Sequence, residues 1–185
     1  MNKLIITVLG KDRPGIIAQV TNDLFDLGCN LENVNQMILQ NQFAGFFIVD
    51  APKKIEPRDL EEKLNKRENH NGLTIHVKIL ETNGSFDAQE PGREIFLITT
   101  IGPDQKGLVA RFSSIIASFN ANIVNLKAVF KGGTEPGANV MSYQVAVTNE
   151  VLSQDLFAAL RKKAVELDLD IRIQHKNIFD AINKI

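Results

Sequence analysis

Side chains able to do chemistry are sparse in this sequence and, with one exception, poorly spaced for it. His70, His76 and His175 fall on a predicted turn and on predicted strands, with no cysteine or acidic pair at metal-ligand spacing. Cys29 is the single cysteine, which excludes an internal disulfide and a thiolate cluster and suits a small buried apolar side chain. Ser113 and Ser114 lie inside a predicted helix rather than on the strand-to-helix elbow that exposes a nucleophile. These residues predict no catalytic centre, no metal site and no cofactor. The exception is Gly10-Lys11-Asp12-Arg13-Pro14-Gly15, which follows the run Leu4–Leu9, apolar but for Thr7, and opens an amphipathic helix. Pro14 suits a first helical turn, where its missing N–H costs nothing. Gly15 leaves that turn without side-chain bulk, so a ligand or another backbone can come close.

The same turn returns as Gly102-Pro103-Asp104-Gln105-Lys106-Gly107, an offset of 92 residues. Ile6/Ile98, Thr7/Thr99, Gly10/Gly102, Asp12/Asp104, Gly15/Gly107, Ala18/Ala110, Asn30/Asn122 and Asn33/Asn125 all match at that offset, so the chain is an internal repeat. A length of 185 residues then predicts two domains of roughly 80–90 residues, small enough to need burial against each other or a second chain.

Composition is that of a globular protein, 44% hydrophobic and 23% charged. Residues 1–93 carry 11 Lys/Arg against 13 Asp/Glu and residues 94–185 carry 10 against 9, so neither half has the basic field that gripping phosphates requires. The clusters Lys53-Lys54 and Arg161-Lys162-Lys163 read as solvated surface. No apolar run approaches the ~20 residues of a membrane span, and the N-terminus enters a strand pattern with no leader layout. A cytoplasmic location, no membrane partner and no direct nucleic-acid partner are expected.

These turns need positioning elements, and the patterning supplies them in a fixed order. After strand Leu4–Leu9, the stripe Ile16, Ile17, Val20, Leu24, Leu27 predicts a helix ended by Gly28. An extended segment Asn30–Leu39, a tight hairpin at Gln40-Asn41-Gln42 and a strand Phe43–Val49 follow. A charged helix from Arg58 to about Glu68 with Leu60 and Leu64 inward, a turn at Asn69–Gly72 and a strand Leu73–Leu80 close the unit. Residues 82–93, with Asn83-Gly84-Ser85 and Pro91-Gly92, read as a linker. The order restarts with strand Ile95–Ile101, helix Leu108–Phe119, strand Asn122–Phe130, a Gly-rich connection over 131–137 and strand Val140–Val147. Helix Ser153–Leu167, with Ser153 as N-cap, and strand Ile171–Gln174 complete it. Lys176–Ile185 places Ile178, Ile182 and Ile185 on one helical face, a tail expected to dock on its own protein. The class is α+β: two ferredoxin-like βαββαβ domains over 1–81 and 94–175, antiparallel sheets with helices on one face, and a helical tail over 176–185.

A strand, then G-x-D-R-P-G with two following apolar residues, then a helix and G-x-N-hydrophobic-x-N resembles the ACT domain, a small-molecule-sensing module of amino-acid metabolism. Gly10, Asp12, Arg13, Pro14, Gly15, Gly28, Asn30 and Asn33 fill that pattern. The second copy keeps Gly102, Asp104, Gly107, Asn122 and Asn125 but has Gln105-Lys106 for Arg-Pro and Asn120 for the helix-ending Gly, a diverged version. Two such domains and little else are similar to the family of glycine cleavage system transcriptional repressors. The resemblance implies a non-catalytic regulator that binds an amino acid where the strand-to-helix turn meets a neighbouring ACT domain and modulates a regulatory protein partner. It implies ligand-binding roles for Gly10, Asp12, Arg13, Pro14, Gly15, Ile16, Asn30 and Asn33, and for Asp104, Gly107 and Asn122 in the second copy. Helix N-terminal amides would take the ligand carboxylate, and Asp12 and Asn30 its ammonium. The plainer alternative is that Asp12 caps the helix and Asn30 holds a turn.

A reading from another class is RNA binding by an RRM-like domain, for which Phe43–Val49 would be the base-stacking strand. The missing leading basic residue and the absent basic field count against it, and core packing is the better account of these Phe side chains. Both alternating sets of Phe43–Val49 are apolar, so the helix-free sheet face is expected to be covered, by pairing of the copies reinforced by homodimerisation.

Overall fold

The computed structural model describes residues 2–67, 72–81, 93–130, 139–148 and 150–183. Residues 82–92 of the expected linker, Glu68 at the end of the expected helix, 69–71 of the expected turn, the Gly-rich connection 131–137 and the stripe positions Ile182 and Ile185 lie outside the described residues or side chains. The chain divides into two compact units, residues 1–85 and 86–185.

The first unit runs β1 (Asn2–Lys11), α1 (Ile16–Asp26), β2 (Asn30–Leu39), β3 (Gln42–Ala51), α2 (Pro57–Asn65), β4 (Leu73–Ile79). Its four strands form one antiparallel sheet in the order β2-β3-β1-β4. The apolar sets of β1 and β3 sort by parity. Leu4, Ile6 and Val8 join Phe43, Phe47 and Val49 in a core under Ile16, Val20 and Leu24 of α1 and Leu60 and Leu64 of α2. On the other face Leu9 and Phe46 are each 49% exposed. That parity decides between stacking surface and core, because Phe43 and Phe47 are buried and only Phe46 reaches the open face.

The two sheet edges are built differently. Asn65 of α2 donates its side-chain Nδ2 to the Ile75 carbonyl at 2.8 Å, and its Oδ1 accepts the Ile75 N–H at 3.2 Å. Glu61 accepts the Val77 N–H at 2.8 Å. Outward-pointing groups of β4 are thereby bonded as though by another strand, which closes that edge. β2, at the opposite edge, is exposed at all ten positions, including Leu31, Val34, Met37, Ile38 and Leu39. Asn65→Ala should cost about 1–3 kcal/mol in urea unfolding, the penalty of unpaired polar groups in part-buried surroundings.

The second unit repeats the order as β5 (Glu94–Gly102), α3 (Leu108–Ser118), β6 (Asn122–Phe130), β7 (Asn139–Val147), α4 (Glu150–Glu166), β8 (Asp170–His175), with sheet order β6-β7-β5-β8. A final helix, α5 (Lys176–Asn183), follows β8 without a break and lies beside β5 and β8; Ile178 on it is 57% exposed. Helix α4 starts at Glu150, so Ser153 sits within its first turn rather than at its N-cap, and it is buried. Helices α1 and α3 end the same way. Gly28 at φ +77° and Asn120 at φ +53° both take the left-handed closing position, with Cys29 N–H bonded to Leu24 and Ala121 N–H to Ile116. Asparagine thus does the work of the missing glycine.

Tyr143, fully buried in the second core, donates its hydroxyl to the Met141 sulfur at 3.2 Å and stacks on Phe112. Burial pushes its hydroxyl up to about 12 from the ordinary 10.0. The neutral form is therefore favoured in the folded state, and stability should fall as pH rises from the unfolded value toward the folded one. The expected loss is about 2–3 kcal/mol across that window. Tyr143→Phe should remove that part of the alkaline loss in denaturation measured against pH.

Candidate functional site

The strand-to-helix turn of the first unit is shaped by its glycines. Gly15 has φ +93° and ψ −4°, the third-residue geometry of a type II turn, with Pro14 before it. The helix begins at Ile16, so Pro14 belongs to the turn and not to the first helical turn expected for it. Gly107 at φ +78° and ψ +17° makes the same turn in the second unit without a proline. Gly10 acts elsewhere: a Cβ on it would come within 2.6 Å of the Gly72 carbonyl and the Leu73 side chain, so it lets β4 approach β1.

A pocket of about 420 Å³ opens at this turn, lined by Asp12, Arg13, Gly15, Ile16, Ile17, Ala18, Gln36 and Phe43. Ile16, Ile17 and Ala18 are the first three residues of α1, whose first intrahelical bond is Gln19 N–H to the Gly15 carbonyl at 2.9 Å. Their amides have no carbonyl one turn back to bond, and they carry the positive end of the helix dipole. No side chain caps the helix and its first turn holds no acidic residue. The alternative reading of Asp12 as the cap is thereby answered. Its backbone N–H donates to the Asn41 carbonyl at 2.8 Å, tying the turn to the β2–β3 hairpin, and the residue lines the pocket. The sequence reading missed Gln36 and Phe43, which the β2–β3 hairpin brings across to the turn.

Asn30 and Asn33 are not in this pocket. Lys11, next to Asp12, is level with Gln42 on β3, whereas Asn30 is level with Asp50. The eight intervening steps along β3 amount to about 26 Å, so one unit cannot place Asp12 and Asn30 on one ligand. Asn33 follows a bulge between Leu31 and Asn33, and Asn125 follows the matching bulge between Ile123 and Asn125. In the second unit Asp104 and Gly107 lie at the turn. Asn122 lines a shallow pocket of about 350 Å³ with Ser113, Ser114 and Ala117, at the far end of α3. Among the described residues no group of three or more His, Cys, Asp or Glu could hold a metal ion, and no helix is long and apolar enough to cross a membrane.

A βαββαβ unit repeated in tandem, with a small pocket at the first strand-to-helix turn, is an architecture of the ferredoxin-like class. The ACT domain model matches residues 2–78 and again 94–174, and the chain belongs to the ACT domain family. The UPF0237 protein of Streptococcus mutans is 37% identical over 87 residues, 46% of this chain and 94% of that protein. The UPF0237 protein of Methanopyrus kandleri is 32% identical over 79 residues, 42% of this chain and 88% of that protein. Among solved structures, a protein of unknown function from Galdieria sulphuraria superposes with a TM-score of 0.76 at 22% identity, covering 94% of this chain and 98% of that one. A candidate glycine cleavage system transcriptional repressor superposes with a TM-score of 0.62 at 15% identity, covering 94% and 96%. These two likenesses are of fold.

Proposed function

We propose that this chain is a non-catalytic sensor of a free amino acid, whose occupancy changes its association with a partner in amino-acid metabolism or its transcriptional control. The observation that carries the reading is the pocket at the turn, which is lined both by Asp12 and by the three residues that open α1. A zwitterion needs such a pair of opposite poles: amides for its carboxylate and an acceptor for its ammonium. Phe43 and Ile17 supply an apolar wall for the side chain.

The site is completed by a neighbouring ACT domain. Antiparallel pairing of two β2 edges would lay the start of one strand, with Asn30 and Asn33, beside the end of the other, next to its Asp12 turn. That is the geometry by which Asp12 and Asn30 meet on one ligand despite their separation within a unit. Two features support the β2 edge as the pairing edge: its unbroken exposure, and the closure of the β4 edge by Glu61 and Asn65. A homodimer is the arrangement this favours. Calorimetric titration of the full chain with each common amino acid tests the sensor. One of them should bind with near-stoichiometric saturation, and heats indistinguishable from dilution for all would overturn it.

A further inference from the structure

Phe43, which lines the pocket of the first unit, is held in place by a gap in its own strand. It stands two positions before Gly45 on β3, so both positions belong to the helix-facing side of the sheet. A Cβ built on Gly45 would lie 2.9 Å from Phe43 Cε1 and Cζ and 3.0 Å from Phe47 Cε2. Those distances are well inside the ~3.5–4.0 Å of a relaxed carbon–carbon contact. The far edge of the Phe43 ring therefore lies over Gly45, in space that any other residue would fill with its own side chain. Gly45 is level with Val8 on one side and Gln36 on the other and has no positive φ, so the glycine serves the ring and not a turn. The second unit has Asn139 and Met141 at the two matching positions and lacks this arrangement.

The gap at Gly45 controls the depth of the pocket. A side chain at position 45 projects from the sheet toward the helix layer, and Phe47, 0% exposed, packs against the same spot. It would push the Phe43 ring the same way, toward α1 and the pocket. Two of the lining residues, Ile16 and Phe43, are only 2% and 3% exposed and form an apolar floor, whereas Gln36 is exposed at the rim. With the two poles of a zwitterion engaged by Asp12 and the start of α1, the floor is left for its side chain, and a charged group buried there would go unpaired. The pocket of about 420 Å³ is within the roughly 300–1,000 Å³ of small-molecule sites, so a ligand without a sizeable side chain would leave that floor uncovered.

We infer that the first site takes an amino acid with an apolar side chain of leucine, methionine or phenylalanine size, seated on Phe43, and that Gly45 sets how large that side chain can be. The inference rests on the reading of this turn as an amino-acid site. Gly45 touches no ligand in it; it is a positioning residue that acts through the ring.

The test is calorimetry on the full chain with L-leucine, L-methionine, L-phenylalanine and L-valine, and with L-serine, L-aspartate and L-lysine for contrast. One of the first three should bind tightest, and Asp12→Ala should remove that binding. Gly45→Ala should lower its affinity relative to L-valine by about tenfold or more, the scale set by a methylene group in an apolar pocket. A general loss of stability would weaken both ligands alike. Phe43→Leu lowers the floor and should move the same ratio the other way, so it carries the test should Gly45→Ala fail to fold. Tightest binding by valine or a polar probe overturns the inference and leaves the sensor reading standing. So does an unchanged ratio in folded Gly45→Ala, or apolar binding that survives Asp12→Ala. Absence of binding by every common amino acid removes the sensor reading itself.

Discussion

Asp12→Ala should lower affinity for the amino acid at the first turn by about 10- to 100-fold, while the unit stays folded. The magnitude is that of one hydrogen bond to a charged group, about 1.5–3 kcal/mol. The two effects separate because the structural part of this residue is in its backbone: the N–H bond to the Asn41 carbonyl survives in alanine, and α1 takes no cap from the side chain. The stability change should therefore stay under about 1 kcal/mol, less than a lost helix cap. Asp12→Asn keeps the shape and removes the charge. If the carboxylate holds an ammonium, Asn should bind nearly as poorly as Ala; unchanged calorimetric affinity in folded Asp12→Ala would rule this site out.

Ile38→Lys should shift the chain from dimer to monomer in sedimentation at micromolar concentration. Ile38 is 54% exposed on β2, with Met37 at 55% and Leu39 at 66%, so lysine there loses little within one unit. At a paired edge the same lysine places a charge in an apolar seam, the device by which natural sheets keep edges from pairing. The loss should exceed tenfold in the dimer constant. A monomeric wild-type chain under these conditions would remove the premise. Because the partner's β2 completes the ligand site in this reading, the dissociated variant should also bind amino acid more weakly, a joint result that a purely structural edge would not produce.

Much of the fold was legible in the chain itself. The strand and helix order follows from local periodicity, and β2 and β6 run from Asn30 to Leu39 and from Asn122 to Phe130 as the patterning predicts. The misread positions are boundaries. Pro14 belongs to a type II turn because Gly15, not Pro14, holds the left-handed residue that starts the helix. Ser153 looked like a cap because a serine before an apolar stripe usually is one, yet α4 extends one turn further back through Glu150.

By itself the sequence determined the tandem βαββαβ architecture and the turn at Gly10–Gly15, since both are written in local spacing and in an offset of 92 residues. Tertiary structure alone decided which side chains meet there. Gln36 and Phe43 join Asp12 because strand register carries them across the sheet, while Asn30, from the same motif, ends at the opposite end of β2. The burial of the Thr100 and Asn139 side chains without a hydrogen-bond partner among the described residues was likewise decided in three dimensions. Helix and strand periods are properties of neighbours along the chain, whereas register and the satisfaction of a buried polar group depend on residues far apart in it.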